Sequence, residues 1–154
     1  MSASVERAKE LFLLGYSCSQ AVVGAFCDQV GMDFETAMRL AAPFGGGMGR
    51  MRQVCGAVSG AFILAGLKYG YTDPNGREEK AAHYKLIQDM AAAFTAEKGS
   101  IICKDLLQLQ QTQKQTHIPD ERTAQYYKER PCVYMVEQAA IIAEKVLNGS
   151  FNVE

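Results

Sequence analysis

The sequence predicts an all-α fold, one bundle of about five to seven helices over residues 1–154. Three observations point there. Apolar residues recur at three-and-four spacing in nearly every segment, no run alternates as a half-buried strand does, and Gly, Pro and capping residues cut the chain into helix-length pieces with short connections. The 154 residues, 48% apolar and 21% charged, suffice for one domain with its own core, and no repeat or domain linker interrupts them.

The first helix places Val5, Ala8, Leu11, Phe12 and Leu14 on one face and stops at Gly15. Ser17-Cys18-Ser19-Gln20 is a capping box, with Ser17 the N-cap and Gln20 at N3, for a helix through Ala21, Val22, Ala25 and Phe26 to Gly31. Asp33 caps a short helix with Glu35 in its first turn, and Pro43 ends it. After the glycine-rich stretch Phe44–Arg52, Cys55–Tyr69 reads as a buried helix stopped by Gly70. Its Gly56, Gly60 and Ala61 form a small-residue face that lets another backbone come close, within the subunit or across a homodimer.

Thr72–Gly76 is a turn, followed by a long helix Arg77–Lys98 that is apolar at Ala82, Leu86, Met90, Ala93 and Phe94. A short helix Ile101–Leu109 dissolves into Gln110–His117, a polar and mobile stretch too short to divide the chain. Asp120 caps a short helix through Tyr127. Pro131 at N1 opens the last helix, through Met135, Ala139, Ile142 and Val146 to Asn148-Gly149.

Composition excludes several functions. The net charge is −1, with both signs mixed and no basic stripe interleaved with aromatics, so a nucleic-acid partner has no support. Glu6, Arg7, Lys9 and Glu10 stand where a secretory signal needs an apolar run. The longest uncharged apolar stretch, Val54–Leu67, is too short to span a bilayer, so no membrane partner is expected. The expected location is the cytoplasm, where structural disulfides are rare. No Ser/His/Asp arrangement, paired-carboxylate motif or dinucleotide fingerprint is present.

Chemistry is concentrated in the cysteines. Of five, four fall at expected helix starts: Cys18, Cys55, Cys103 and Cys132. Unpaired N–H groups and the positive dipole end favour thiolate over thiol there, which suits metal binding, cluster binding or redox exchange. Four converging thiolates can hold zinc or an iron–sulfur cluster, whereas two in contact form a redox couple, for which Cys18/Cys55 is a candidate pair. No C-x-x-C occurs, so a metal site would need the whole fold. Free cysteine is also a common small core residue, which remains the competing account for all four and the preferred one for Cys27 beside Phe26.

Gly45, Gly46, Gly47 and Gly49, with Gly56, form the candidate cofactor-binding backbone directly before a helix start. Arg50 and Arg52 add positive charge, but the lysine and Ser/Thr of a P-loop are missing, so the loop more readily lets Cys55 meet another helix. His83 and His117 read as solvent-facing, Met48 and Met51 as lining an apolar crevice, and Tyr126-Tyr127 as an anchor for the final helices.

Cys18-Ser19-Gln20-Ala21-Val22, Gly45-Gly46-Gly47-Met48-Gly49-Arg50, Cys55-Gly56-Ala57-Val58-Ser59-Gly60, Cys103-Lys104-Asp105-Leu106-Leu107 and Cys132 together resemble the C_GCAxxG_C_C family of redox-active proteins, over about residues 5–147. The Cys55–Gly60 segment is the most specific part, and Val54 stands where the family's name has glycine. The resemblance implies that Cys18, Cys55, Cys103 and Cys132 are the functional set, with Cys27 outside it, and that a prosthetic group such as an iron–sulfur cluster is bound. The expectation that follows is electron transfer through a four-cysteine metal centre, with a redox protein or small-molecule electron donor as partner. The alternatives are a metal-free thiol–disulfide protein with no cofactor, and a zinc-stabilised, non-enzymatic module that binds another protein.

Overall fold

Local capping signals set the order of elements in the computed structural model, which describes residues 2–109 and 115–152. The Ser2 hydroxyl accepts the Val5 N–H and starts α1 (Ala3–Leu13), whose Val5, Ala8, Leu11 and Phe12 face inward. Leu14, expected on that face, is 71% exposed, because it is the C-cap residue and the chain turns away at Gly15 with φ +109°. The capping box at Ser17 forms as expected: the Gln20 N–H donates to Ser17 Oγ at 3.3 Å and the Ser17 N–H to Gln20 Oε1 at 3.1 Å. Helix α2 (Cys18–Phe26) is buried on nearly every side, runs on into a 3-10 turn and stops at Gly31 in the left-handed region. Asp33 caps α3 (Phe34–Ala41). Replacing Ser17 with Ala removes a cap and half of its box, so the urea midpoint should fall by the equivalent of about 1 kcal/mol; an unchanged midpoint would contradict this.

A helical turn at Gly45–Met48, broken by Gly46 and Gly47 at φ +66° and +70°, leads to α4 (Gly56–Tyr69). The small face of α4 is an intramolecular contact: a Cβ on Gly60 would lie 3.0 Å from Ser19 O, and one on Gly56 2.8 Å from Phe44 O. Helix α5 (Arg77–Lys98) lies outside, on α4 and the last helix, through buried Met90 and Phe94; Ala82 faces solvent.

Three later expectations are corrected. Only one helical turn, α6 (Cys103–Leu106), forms within Ile101–Leu109, because Ile102 pairs with Val54 in an antiparallel bridge and Gln108 turns at φ +56°. Helix α7 (Ala124–Glu129) is capped by Thr123, since Asp120 is engaged by Arg50 and Arg130 at 3.1 Å each. Helix α8 (Cys132–Leu147) has Pro131 at its N-cap, one position earlier than expected. Of the polar stretch 110–117, residues 110–114 lie outside the described residues, while Gln115 and Thr116 accept hydrogen bonds from Arg52 and Arg50.

The fold is all-α, and among the described residues no strand forms beyond that single bridge. Among the described residues there are eight helices, α1–α8, beside the broken turn Gly45–Met48, one more than the expected five to seven. Helices α1, α2, α4 and α8 pack on one another around one apolar cluster that includes Phe12, Val22, Phe26, Leu64, Val136 and Ala140. No helix among the described residues is long and apolar enough to cross a membrane.

Candidate functional site

Close helix packing gathers four sulfurs that are far apart in the chain. Cys18 is the first residue of α2, Cys55 the N-cap of α4, Cys103 the first residue of α6 and Cys132 the first of α8. Without a side chain at Gly56, α4 approaches α2 until a Cβ there would stand 3.4 Å from Cys18 Cβ. The Val54–Ile102 bridge then ties Cys55 to Cys103: the Cys55 N–H donates to Ile101 O at 2.7 Å and the Cys103 N–H to Gln53 O at 2.6 Å. Gly47 leaves room for Cys103, because a Cβ on it would lie 2.7 Å from Cys103 Cβ. Finally α8, packed on α2 and α4, brings Cys132 to the same cavity as Cys18.

All four cysteines line one cavity of about 60 Å³, together with Gly46, Gly47, Gly56, Arg52, Arg122, Tyr126 and Met135. Cys18 and Cys132 are half-buried at this cavity, whereas Cys55 and Cys103 are buried. Cys27 lies elsewhere, buried, with its thiol donating to Gly24 O at 3.4 Å, as expected of a packing residue. Of the glycines expected to form the site, Gly46, Gly47 and Gly56 line the cavity. Gly45 and Gly49 do not: Gly45 abuts Ser17, and Gly49 ends the helical turn at φ +57°. The loop therefore shapes the pocket through close approach and left-handed turns.

Two arginines give the cavity its charge, and among the described residues no carboxylate lines it. Arg52 is only 6% exposed; its Nη1 donates to Cys103 Sγ at 3.6 Å and its Nε to Gln115 Oε1 at 3.0 Å. Arg122 donates to Phe12 O and Tyr16 O at 3.0 and 3.1 Å, and its guanidinium lies over the Phe12 and Tyr126 rings. Arg50, also expected to add charge here, is held instead by Thr116 O and Asp120.

Of the four cysteines at helix starts only Cys132 is lowered, and neighbouring side chains rather than the helix start lower it. The hydrogen bond from Cys18 pulls Cys132 down to about 7, with help from Arg130, Arg122 and Arg52 and against its burial. Cys18 is raised by giving that hydrogen bond and by burial. Burial pushes Cys55 up to about 12 although the Val58 and Ala57 N–H groups oppose it, and it raises Cys103 against the pull of Arg52. Desolvation thus outweighs the helix dipole at the buried positions.

The donor chemistry of four thiols around one cavity is of the kind that would hold an iron–sulfur cluster. A single zinc ion requires ligand sulfurs about 2.3 Å from one centre. Among the described residues no three His, Cys, Asp or Glu side chains are grouped closely enough to hold one ion.

Met48 and Met51, expected at an apolar crevice, do not line this cavity; Met135 does, and Met51 is 65% exposed. His117 is exposed, but His83 is half-buried, edge-on to Tyr71, with Nδ1 lacking a partner. It lines a larger cavity of about 460 Å³ at the far ends of α4 and α8, where no cysteine reaches. Tyr127 anchors α1 as expected, its hydroxyl donating to Leu13 O at 3.1 Å, but Tyr126 lines the sulfur cavity. Arg122, Tyr126 and Met135 were not singled out as site residues from the sequence. The one available signal is the four-residue spacing of Arg122 and Tyr126 shortly before Cys132.

A family model described as "Putative redox-active protein (C_GCAxxG_C_C)" matches residues 16–146. No curated protein and no solved structure matches the chain.

Proposed function

The chain belongs to the C_GCAxxG_C_C family, and from that premise we propose that it works as a metal-free dithiol–disulfide couple, with Cys132 attacking and Cys18 resolving. The observation that carries this reading is that Cys18 and Cys132, the two half-buried cysteines, line one cavity, where hydrogen bonding to Cys18 pulls Cys132 down. It favours this pair over Cys18/Cys55. Cys132 supplies the nucleophile because it is the cysteine whose thiolate forms near neutral pH.

The chemistry balances without a metal. The Cys132 thiolate attacks one sulfur of a substrate disulfide, forming a Cys132–substrate bond and releasing the other half as a thiolate. Cys18 then loses its proton to solvent and attacks Cys132 Sγ. This closes the Cys18–Cys132 bond and releases the second half; the substrate gains two electrons and the protein loses two. A cellular thiol or a dithiol protein restores the pair. Cys55 and Cys103 remain protonated at neutral pH.

One equivalent of diamide added to the reduced protein should remove two thiols and give a Cys18–Cys132 cross-linked peptide that dithiothreitol reverses. Random linkage, or linkage that leaves out either residue, would overturn the reading.

The gathering of all four sulfurs around one cavity favours a second reading, electron transfer through an iron–sulfur cluster held by Cys18, Cys55, Cys103 and Cys132. The cluster would supply one-electron chemistry, Arg52 would donate to the Cys103 sulfur, and Gly46, Gly47 and Gly56 would leave room beside the ligands. Stoichiometric iron and sulfide after anaerobic purification supports it; a colourless protein that stays metal-free after reconstitution rules it out.

A further inference from the structure

Two cationic side chains are built into the wall of the sulfur cavity. Arg52 and Arg122 both line it, and among the described residues no Asp or Glu does. Both guanidinium groups are fixed. Gln115 and Cys103 hold Arg52, while two backbone carbonyls at the end of α1 and just beyond it hold Arg122. The neighbouring carboxylate, Asp120, is turned to Arg50 and Arg130. Three helices of nine residues or more, α2, α4 and α8, begin at this cavity and add the partial charge of their N-termini. Two fixed guanidinium groups at one cavity with no carboxylate in its lining make a small anion the favoured occupant.

Size narrows the ligand further. The narrow cavity, about 60 Å³, favours a small group beside the reacting sulfur.

We infer that the disulfide this protein reduces is a small anionic one, carrying a carboxylate one or two carbons from its sulfur, with Arg52 selecting for that charge. The inference rests on the dithiol reading above. When Cys132 attacks, the carboxylate lies beside the guanidinium groups while the leaving sulfur departs as a thiolate. A neutral disulfide gains nothing from the guanidinium charges, and a cationic one meets repulsion.

The test uses the whole reduced protein and three disulfides of similar size: dithiodiglycolate, bis(2-hydroxyethyl) disulfide and cystamine. The rate of Cys18–Cys132 bond formation with each is divided by that reagent's rate with 2-mercaptoethanol, which removes intrinsic reactivity. The normalised rate for dithiodiglycolate should exceed that for the neutral reagent by about tenfold, cystamine should be slowest, and added salt should narrow the gap. Arg52→Gln should bring the first two within about threefold of each other, while Arg52→Lys keeps the preference. Equal normalised rates for all three reagents with the unaltered protein would overturn the charge selection and leave the dithiol couple standing. Absence of the Cys18–Cys132 bond with every reagent would overturn the couple, and this inference with it.

Discussion

Cys132→Ser should lower the rate of reaction with a small disulfide by on the order of a hundredfold or more at pH 7. Cys132 is close to half ionised at that pH, whereas Cys18, Cys55 and Cys103 are all shifted upward and present almost no thiolate. Cys18→Ser should behave differently. Its Cys132 still takes up half of the substrate, but the mixed disulfide persists because Cys18 is gone and burial keeps Cys55 and Cys103 protonated, and intact mass spectrometry should find one substrate half bound. The pH profile of the unaltered protein follows from the direction of the shift. Lowering of the Cys132 value means that thiolate accumulates as pH rises through about 7, so the rate should climb across that range and level off well below the ordinary cysteine value of 9.0. A rate still rising tenfold per unit between pH 7.5 and 8.5 would show that the Cys18 contact and the arginines do not stabilise the thiolate.

Gly47→Ala should destabilise the protein by about 3 kcal/mol, as left-handed strain adds to overpacking. Gly47 sits at φ +70°, and an added Cβ would meet Cys103 Cβ at 2.7 Å, Gln53 N at 2.8 Å and Arg52 Cα at 2.9 Å. Two of those atoms are backbone, in the strand-like segment that ties Cys55 to Cys103, so relief requires moving the site itself. Gly49→Ala serves as the control. It carries a similar φ of +57°, but the nearest atom to its added Cβ is Pro43 O at 4.0 Å, so strain alone acts, about 1 kcal/mol. Urea denaturation of the two variants measures the difference, and equal losses would contradict the steric account of the glycine loop.

Much of the fold was legible because its signals are local. The Ser17–Gln20 box, the Asp33 cap and the Gly31 stop each depend on residues within one turn, and each forms as the sequence indicates. Placement of the four cysteines at helix starts was legible for the same reason. Two kinds of information were not. The first is long-range pairing: nothing near Asp120 announces that Arg50, seventy residues earlier, draws it from a capping role, and nothing near Ile102 announces the bridge to Val54. The second is burial. A helix start argues for thiolate by sequence position alone, but the cost of desolvating Cys55 and Cys103 depends on the packed cavity, and that cost reverses the direction for them. Arg122 escaped notice because its role is to reach across to α1 through carbonyls and rings, contacts that leave no periodic trace in the chain.

The account turns on Cys18 and Cys132 acting together as one two-electron couple. Equilibrating the unaltered protein across a series of glutathione buffers, trapping thiols with an alkylating reagent after denaturation and mapping each cysteine by mass spectrometry measures this directly. The account predicts that Cys18 and Cys132 lose their label together at one midpoint with a slope of about 30 mV per tenfold change, while Cys27, Cys55 and Cys103 stay labelled throughout. Separate midpoints for Cys18 and Cys132, or oxidation of either with a different cysteine, would contradict it.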